Sequence, residues 1–231
     1  MSAVPTQADK QARLASILAC APVMPVVTLD AADDALPMAC ALAAGGIGAI
    51  EVTLRTAAGL DAIRAIATAG LPGVVVGAGT VLDARQVEAA HAAGAGFLVS
   101  PGASPHLLAA AERSGLPWLP GIATAGEALA LMERGYRQFK FFPAAASGGI
   151  KWLAAVRAPL AQARFCPTGG VTAANAAEYL ALPNVACVGG SWVAPRALIA
   201  AHAWSDIERL ASAAAALVHQ GGRGMPSMPE A

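Results

Sequence analysis

Hydrophobic positions along the chain fall into two alternating patterns. Short runs rich in valine, isoleucine and aromatics close on glycine, proline or threonine, and each is followed by an alanine-rich stretch of helical period. After a helix around Lys10–Cys20, the first pattern predicts strands at Val23–Leu29, Ala49–Leu54, Val74–Ala78, Phe97–Ser100, Trp118–Gly121, Gln138–Phe142, Arg164–Pro167 and Val185–Gly189. The second predicts helices at Asp30–Ala44, Ala57–Ala69, Asp83–Ala93, Pro105–Ser114, Thr124–Arg134, Gly149–Val156, Thr172–Leu180 and Pro195–Val218. Aspartate, serine or threonine precedes several helices, as an N-cap does, and glycines such as Gly94 and Gly135 end others.

Strands alternating with helices predict an α/β fold with a parallel sheet, and eight such units predict a (β/α)8 TIM barrel, here with an extra N-terminal helix. The rival is an open doubly wound sheet. That fold favours a glycine-rich turn after its first strand, whereas here the first strand runs into Thr28-Leu29-Asp30. No boundary interrupts the units, so residues 1–220 read as one domain, and the Gly/Pro/Met-rich tail 221–231 reads as disordered.

Composition narrows the function classes. The 231 residues carry 15 basic and 15 acidic side chains, and charged residues make up only 13%. With no basic excess to neutralise phosphodiesters, nucleic acid is not an expected partner. The polar start lacks the pattern of a signal peptide, and no apolar run has the length of a membrane span, so no membrane is expected and the location reads as cytoplasmic. Cys20, Cys40, Cys166 and Cys187 are scattered without a CxxC spacing and read as small core residues in a reducing compartment. His91, His106, His202 and His219 are equally dispersed, so neither a protein-bound metal nor a cofactor is expected.

On a barrel, chemistry belongs at the C-terminal ends of the strands. In Gln138-Phe139-Lys140-Phe141-Phe142, alternation turns Phe139 and Phe141 toward the helices and Lys140 inward with Gln138 and Phe142. An ammonium is costly to bury there, and a lysine that gives up its proton in an apolar site attacks ketones to form a Schiff base. The competing reading is a structural lysine paired with an acid. Glu51, Thr53 and Arg55 share one face of the second strand, with Glu51 deepest and Arg55 near the rim. They read as a proton-transfer carboxylate and an anion-holding arginine, or as a Glu–Arg pair filling the interior. Glu51 and Lys140 can also simply pair with each other, which keeps the lysine charged.

Two glycine-rich turns, Thr168-Gly169-Gly170 after the seventh predicted strand and Gly189-Gly190-Ser191 after the eighth, stand where barrels often hold phosphate. Plain tight turns are the alternative. Gly77-Ala78-Gly79-Thr80 permits close ligand approach and offers a hydroxyl, while Ser100-Pro101-Gly102 and Pro120-Gly121 serve equally well as rigid turns.

Together, Glu51-Val52-Thr53-Leu54-Arg55-Thr56, Gly77-Ala78-Gly79-Thr80-Val81, Ser100-Pro101-Gly102, Phe139-Lys140-Phe141-Phe142-Pro143, Phe165-Cys166-Pro167-Thr168-Gly169-Gly170 and Gly189-Gly190-Ser191-Trp192 make the chain resemble the 2-keto-3-deoxy-6-phosphogluconate (KDPG) aldolases, many of which also act on 4-hydroxy-2-oxoglutarate (KHG). The resemblance runs from Pro22 to about Trp192. It implies a metal-free class I aldolase with Lys140 as the Schiff-base lysine and Glu51 as the acid/base. It further implies that Arg55 and Thr80 hold the substrate carboxylate, that Pro101 and Phe142 line the pocket, and that Thr168, Gly169, Gly170, Gly190 and Ser191 receive the phosphate. A homotrimer acting on a small phosphorylated 2-keto acid is implied as well. The run Ala144-Ala145-Ala146 departs from the family, which has an acidic or amide residue there. Alternatives are an aldolase for the galactonate epimer, a metal-dependent pyruvate aldolase, a phosphosugar isomerase or epimerase using Glu51 as base, and a non-catalytic phosphosugar-binding module.

Overall fold

The computed structural model describes residues 5–217. Expectations for the tail 221–231 and for Val218 as a helix end lie outside them. The strands are β1 (Val23–Val27), β2 (Ala49–Thr53), β3 (Val75–Gly79), β4 (Leu98–Val99), β5 (Trp118–Leu119), β6 (Gly121–Ile122), β7 (Gln138–Phe141), β8 (Arg164–Pro167) and β9 (Val188–Gly190). Every ladder between them is parallel. One sheet has the order β5-β4-β3-β2-β1-β9 and the other the order β6-β7-β8, so the architecture is α/β with a parallel sheet curled as a half-barrel and a second parallel sheet beside it. Isolated bridges Phe165↔Val185 and Thr168↔Gly189 tie β8 and the residue after it to the approach and middle of β9.

The fifth predicted strand, Trp118–Gly121, is observed as β5 and β6 on either side of Pro120. A proline has no N–H to give to a ladder. Its carbonyl still accepts from the Lys140 amide at 2.8 Å, so the chain changes pairing partner there, from β4 to β7.

Helices α2 (Ala35–Ala44), α3 (Gly59–Ala69), α4 (Ala84–Ala92), α5 (Pro105–Arg113), α6 (Ala125–Met132), α7 (Gly149–Val156) and α8 (Ala176–Leu180) follow successive strands. Side-chain caps fix several starts: Asp83, Ser104 and Thr124 each accept the N3 amide, and Glu127 completes a capping box with Thr124. The predicted helix Pro195–Val218 is instead two, α9 (Arg196–Ala200) and α10 (Trp204–Ala215). His202 between them takes φ = 52° and stacks on Trp204 with ring centroids 5.4 Å apart. The stretch predicted as Thr172–Leu180 is helical only from Ala176. The start of Asp30–Ala44 is a 3-10 turn at Ala32–Asp34.

Two apolar layers hold these elements. The outer one lies between strands and helices and includes Phe139, Phe141, Phe165 and Trp118, with Phe141 stacked on Trp152 at 4.4 Å. The inner one gathers Met24, Phe97, Val99, Leu119, Cys166 and Cys187 with Leu14, Ile17 and Leu18 of α1 (Gln7–Leu18). This inner layer is why the extra N-terminal helix is there: it covers the N-terminal strand ends, and each fully buried leucine contributes about 1.5–3 kcal/mol. Gln11 Oε1 accepts the Arg137 and Gln138 amides at 2.7 and 3.1 Å, pinning α1 to the start of β7. Of the cysteines, Cys166 and Cys187 are core residues as expected, but Cys20 and Cys40 are exposed, because they fall on the outward faces at the ends of α1 and within α2. Among the described residues, no helix is long and apolar enough to cross a membrane.

Candidate active site

Lys140 reaches the interior because β7 alternates. Its neighbours Phe139 and Phe141 are fully buried against the helices, leaving the lysine on the opposite face. Glu51 comes from the middle of β2, paired in register with Val26 and Gly77. The Lys140 ammonium donates to Glu51 Oε1 at 3.0 Å and Oε2 at 3.3 Å, with the two residues 3% and 1% exposed. The pairing left open by the sequence is therefore what the molecule contains. A buried pair of this kind neutralises two charges that would each be costly alone, and it gives the ammonium proton a direct acceptor. Phe142 covers the amine, its ring centroid 5.6 Å from Nζ.

Room for the carboxylate comes from Gly79 at the end of β3. A Cβ there would sit 2.3 Å from Glu51 Oε1 and 2.5 Å from its Cγ, so any larger residue displaces the acid. Beside it, Thr53 and Thr28 share a hydrogen bond of 2.8 Å that ties β2 to the end of β1.

A cavity of about 680 Å³ opens next to the pair. Its lining brings together Arg55, Phe142, Thr168, Gly169, Gly170, Gly190 and Ser191 of the sequence-predicted residues. Gly169 and Gly170 have φ of 93° and 78°, a left-handed backbone that side-chain-bearing residues avoid, which leaves bare main chain facing the cavity. Thr80 is attached through Arg55, whose Nε donates to Thr80 Oγ1 at 3.0 Å, and Thr80 itself holds the unusual φ of 56°. Pro101 is not in the lining. It packs on Gly121, in a loop fixed by Trp118 Nε1 donating to Ser100 Oγ (3.0 Å) and Ser100 Oγ donating to the Gly102 carbonyl (2.7 Å). Lys140 and Glu51 stand behind Phe142 rather than on the cavity surface.

Thr28, Trp192 and Arg196 line the cavity without having been singled out from sequence. Thr28 follows β1 and was accessible to the strand-end rule. Arg196 was not, since it sits in an alanine-rich helical stretch. It is ion-paired with Asp30, whose carboxyl it holds below the usual carboxylate range by hydrogen bonding. Among the described residues, no three His, Cys, Asp or Glu side chains gather as a metal site needs.

Residues 14–210 match the family of KDPG and KHG aldolases. The chain is 50% identical over 202 residues to 2-dehydro-3-deoxy-phosphogluconate aldolase of Pseudomonas aeruginosa, covering 87% of this chain and 91% of that one. It is 48% identical over 196 residues to the KHG/KDPG aldolase of Escherichia coli K12, covering 85% and 92%. Among solved structures it is similar to KDPG aldolase from Legionella pneumophila with pyruvate captured as a covalent carbinolamine (TM-score 0.85, 46% identity, 87% of this chain and 98% of that one). It is also similar to the Zymomonas mobilis enzyme with 3-phosphoglycerate (TM-score 0.82, 42% identity, 89% and 96%). With a lysine–glutamate pair buried beside a glycine-walled cavity, and with likeness at this level across most of its length, the chain belongs to the KDPG and KHG aldolase family.

Proposed function

We propose that the chain is a class I aldolase, a carbon–carbon lyase that cleaves 2-dehydro-3-deoxy-6-phosphogluconate to pyruvate and glyceraldehyde 3-phosphate. 4-Hydroxy-2-oxoglutarate, split to pyruvate and glyoxylate, is a second substrate. The observation that carries this reading is the buried Lys140–Glu51 contact of 3.0 Å beside the cavity. Glu51 takes the ammonium proton, and the freed amine attacks the C2 ketone. Returning a proton, Glu51 lets the carbinolamine lose water to an iminium. Glu51, now a carboxylate again, removes the C4 hydroxyl proton directly or through a water. The C3–C4 bond breaks, and its electrons pass into the iminium to give an enamine and the aldehyde. Protonation of the enamine at C3 and addition of water then release pyruvate and restore the amine.

In this scheme Arg55 with Thr80 holds the carboxylate, Phe142 lines the pocket while Pro101 supports it from outside the lining through its contact with Gly121, and Thr168, Gly169, Gly170, Gly190 and Ser191 receive the phosphate. The covalent pyruvate and the 3-phosphoglycerate of the two relatives support those two ends of the site. We further infer closure as a full (β/α)8 barrel, supported by the bridges from β8 to β9 and by the single residue between β5 and β6. A single domain over 1–220, a homotrimer and a cytoplasmic location complete the reading. The trimer rests on family resemblance and predicts a solution mass three times that of the 22.9 kDa chain. The location rests on the substrate, a phosphorylated acid that does not cross a bilayer unaided.

Incubation with pyruvate and borohydride tests the chemistry: the reduced adduct is expected on Lys140, and an unmodified, fully active protein overturns the reading. A coupled pyruvate-release assay, run with and without chelator on the gluconate and galactonate C4 epimers and on the unphosphorylated keto acid, then fixes substrate preference.

A further inference from the structure

We propose that Arg196, held by Asp30, is the specificity-determining cation for phosphorylated substrates; this rests on the aldolase reading above and deepens it. The groups assigned there to the phosphate are glycines and two hydroxyls, none of them charged. A phosphate monoester carries close to two negative charges at neutral pH. Among the described residues, two cationic side chains line the cavity, Arg55 and Arg196. Arg55 is engaged with Thr80 at the end of β3, on the carboxylate side. Arg196 follows the Gly190–Ser191 turn and shares the cavity wall with Gly169 and Gly170.

Asp30, just after β1, receives Arg196 through Nε (3.2 Å) and one Nη2 hydrogen. A guanidinium has five N–H donors, so both Nη1 hydrogens and the second on Nη2 remain for a ligand. Both side chains are well exposed, at 60% and 63%, so the pair adds little to stability. Its effect is to restrict the long arginine to one place at the cavity mouth, which makes Asp30 a positioning residue.

The two substrates differ at this end. In the phosphorylated keto acid the phosphate lies two carbons beyond C4, whereas in 4-hydroxy-2-oxoglutarate the second carboxylate is on C4 itself and falls short of the glycine turns. Arg196 therefore acts on one substrate and not the other.

The test compares wild type, Arg196→Ala, Arg196→Lys and Arg209→Ala, the last removing a similarly exposed arginine from α10 outside the cavity. For Arg196→Ala the KM for the phosphorylated keto acid is expected to rise about tenfold, as for loss of one charge-assisted contact, with kcat within about twofold. KM for 4-hydroxy-2-oxoglutarate and the extent of pyruvate–borohydride trapping at Lys140 stay at wild-type values. Arg196→Lys recovers part of the loss, and Arg209→Ala behaves as wild type. An unchanged KM for the phosphorylated substrate in an active Arg196→Ala protein overturns the inference, as does an equal rise for both substrates. Failure of the wild type itself to trap pyruvate overturns the aldolase reading instead, so the two failures are distinguishable.

Discussion

The molecule buries two lysines, one at each end of its strands, and they have opposite meanings. Lys140, 3% exposed, faces a carboxylate beside a cavity. Lys10, 6% exposed, lies in α1 across the N-terminal strand ends and donates to the carbonyl of Glu112 at 2.6 Å. That carbonyl belongs to the last turn of α5, where unsatisfied carbonyls and the helix dipole favour a cation. Burial pushes the Lys10 amine below its ordinary value, with Glu112 opposing. Burial alone therefore does not make a reactive amine. The reactive one has a partner able to take its proton and a cavity walled by the neighbouring Phe142, while the other has a backbone carbonyl that only accepts a hydrogen bond.

The sharpest way to break this contrast is to remove each amine. Lys140→Ala is expected to lower kcat/KM for pyruvate release by roughly 10,000-fold or more, as loss of a covalent nucleophile does. Lys10→Ala should stay within about twofold in the same assay, because it touches nothing at the cavity. Next comes Glu51→Gln, which leaves a buried ammonium without a charge partner. A loss of about 3–5 kcal/mol in urea unfolding is expected, together with a fall in kcat of roughly 100- to 10,000-fold. The double variant Lys140→Met/Glu51→Leu should recover most of the stability and none of the activity.

Gly79→Ala probes the same acid from across the interior: its Cβ would lie 2.3 Å from Glu51 Oε1. We expect about 1–3 kcal/mol of destabilisation and a decrease in kcat of about tenfold from the displaced carboxylate. The smallest effect belongs to Lys10→Met, about 1 kcal/mol at neutral pH for the lost hydrogen bond. Because the Lys10 value is depressed on folding, the unfolded chain holds that proton more tightly. Wild-type stability thus gains from this group as pH rises from the folded value toward 10.5. The gap between wild type and Lys10→Met should widen over that alkaline window, and urea titrations at two pH values measure it.

Particular residues show what was legible in the sequence. The strand bearing Lys140 declares itself because aromatic and polar positions alternate, and the Glu51–Thr53–Arg55 face follows from the same period of two. The break at residues 201–203 was hidden: Ala201-His202-Ala203 contains no glycine or proline, and a left-handed histidine is stabilised there by a ring stack that only the fold supplies. The switch of pairing at Pro120 depends on which strands flank it, a tertiary fact. Lys10 looked like part of a polar segment because its burial arises from α5, a hundred residues away. Arg196 was obscured in the same way, since its place at the cavity depends on how the chain turns after β9.

The attachments of α1 also constrain how the chain is made. Gln11 is anchored to the amide of Arg137, 126 residues later in the sequence, and Lys10 to a carbonyl 102 residues later. A ribosome builds the chain from its N-terminal side, so this amphipathic helix waits while the following 126 residues are added before its docking surface exists. Its apolar face, led by Leu14 and Leu18, is exposed to solvent or to chaperones for that interval. The helix that covers the finished strands is thus made well before the surface it docks on and is among the last elements to find its place.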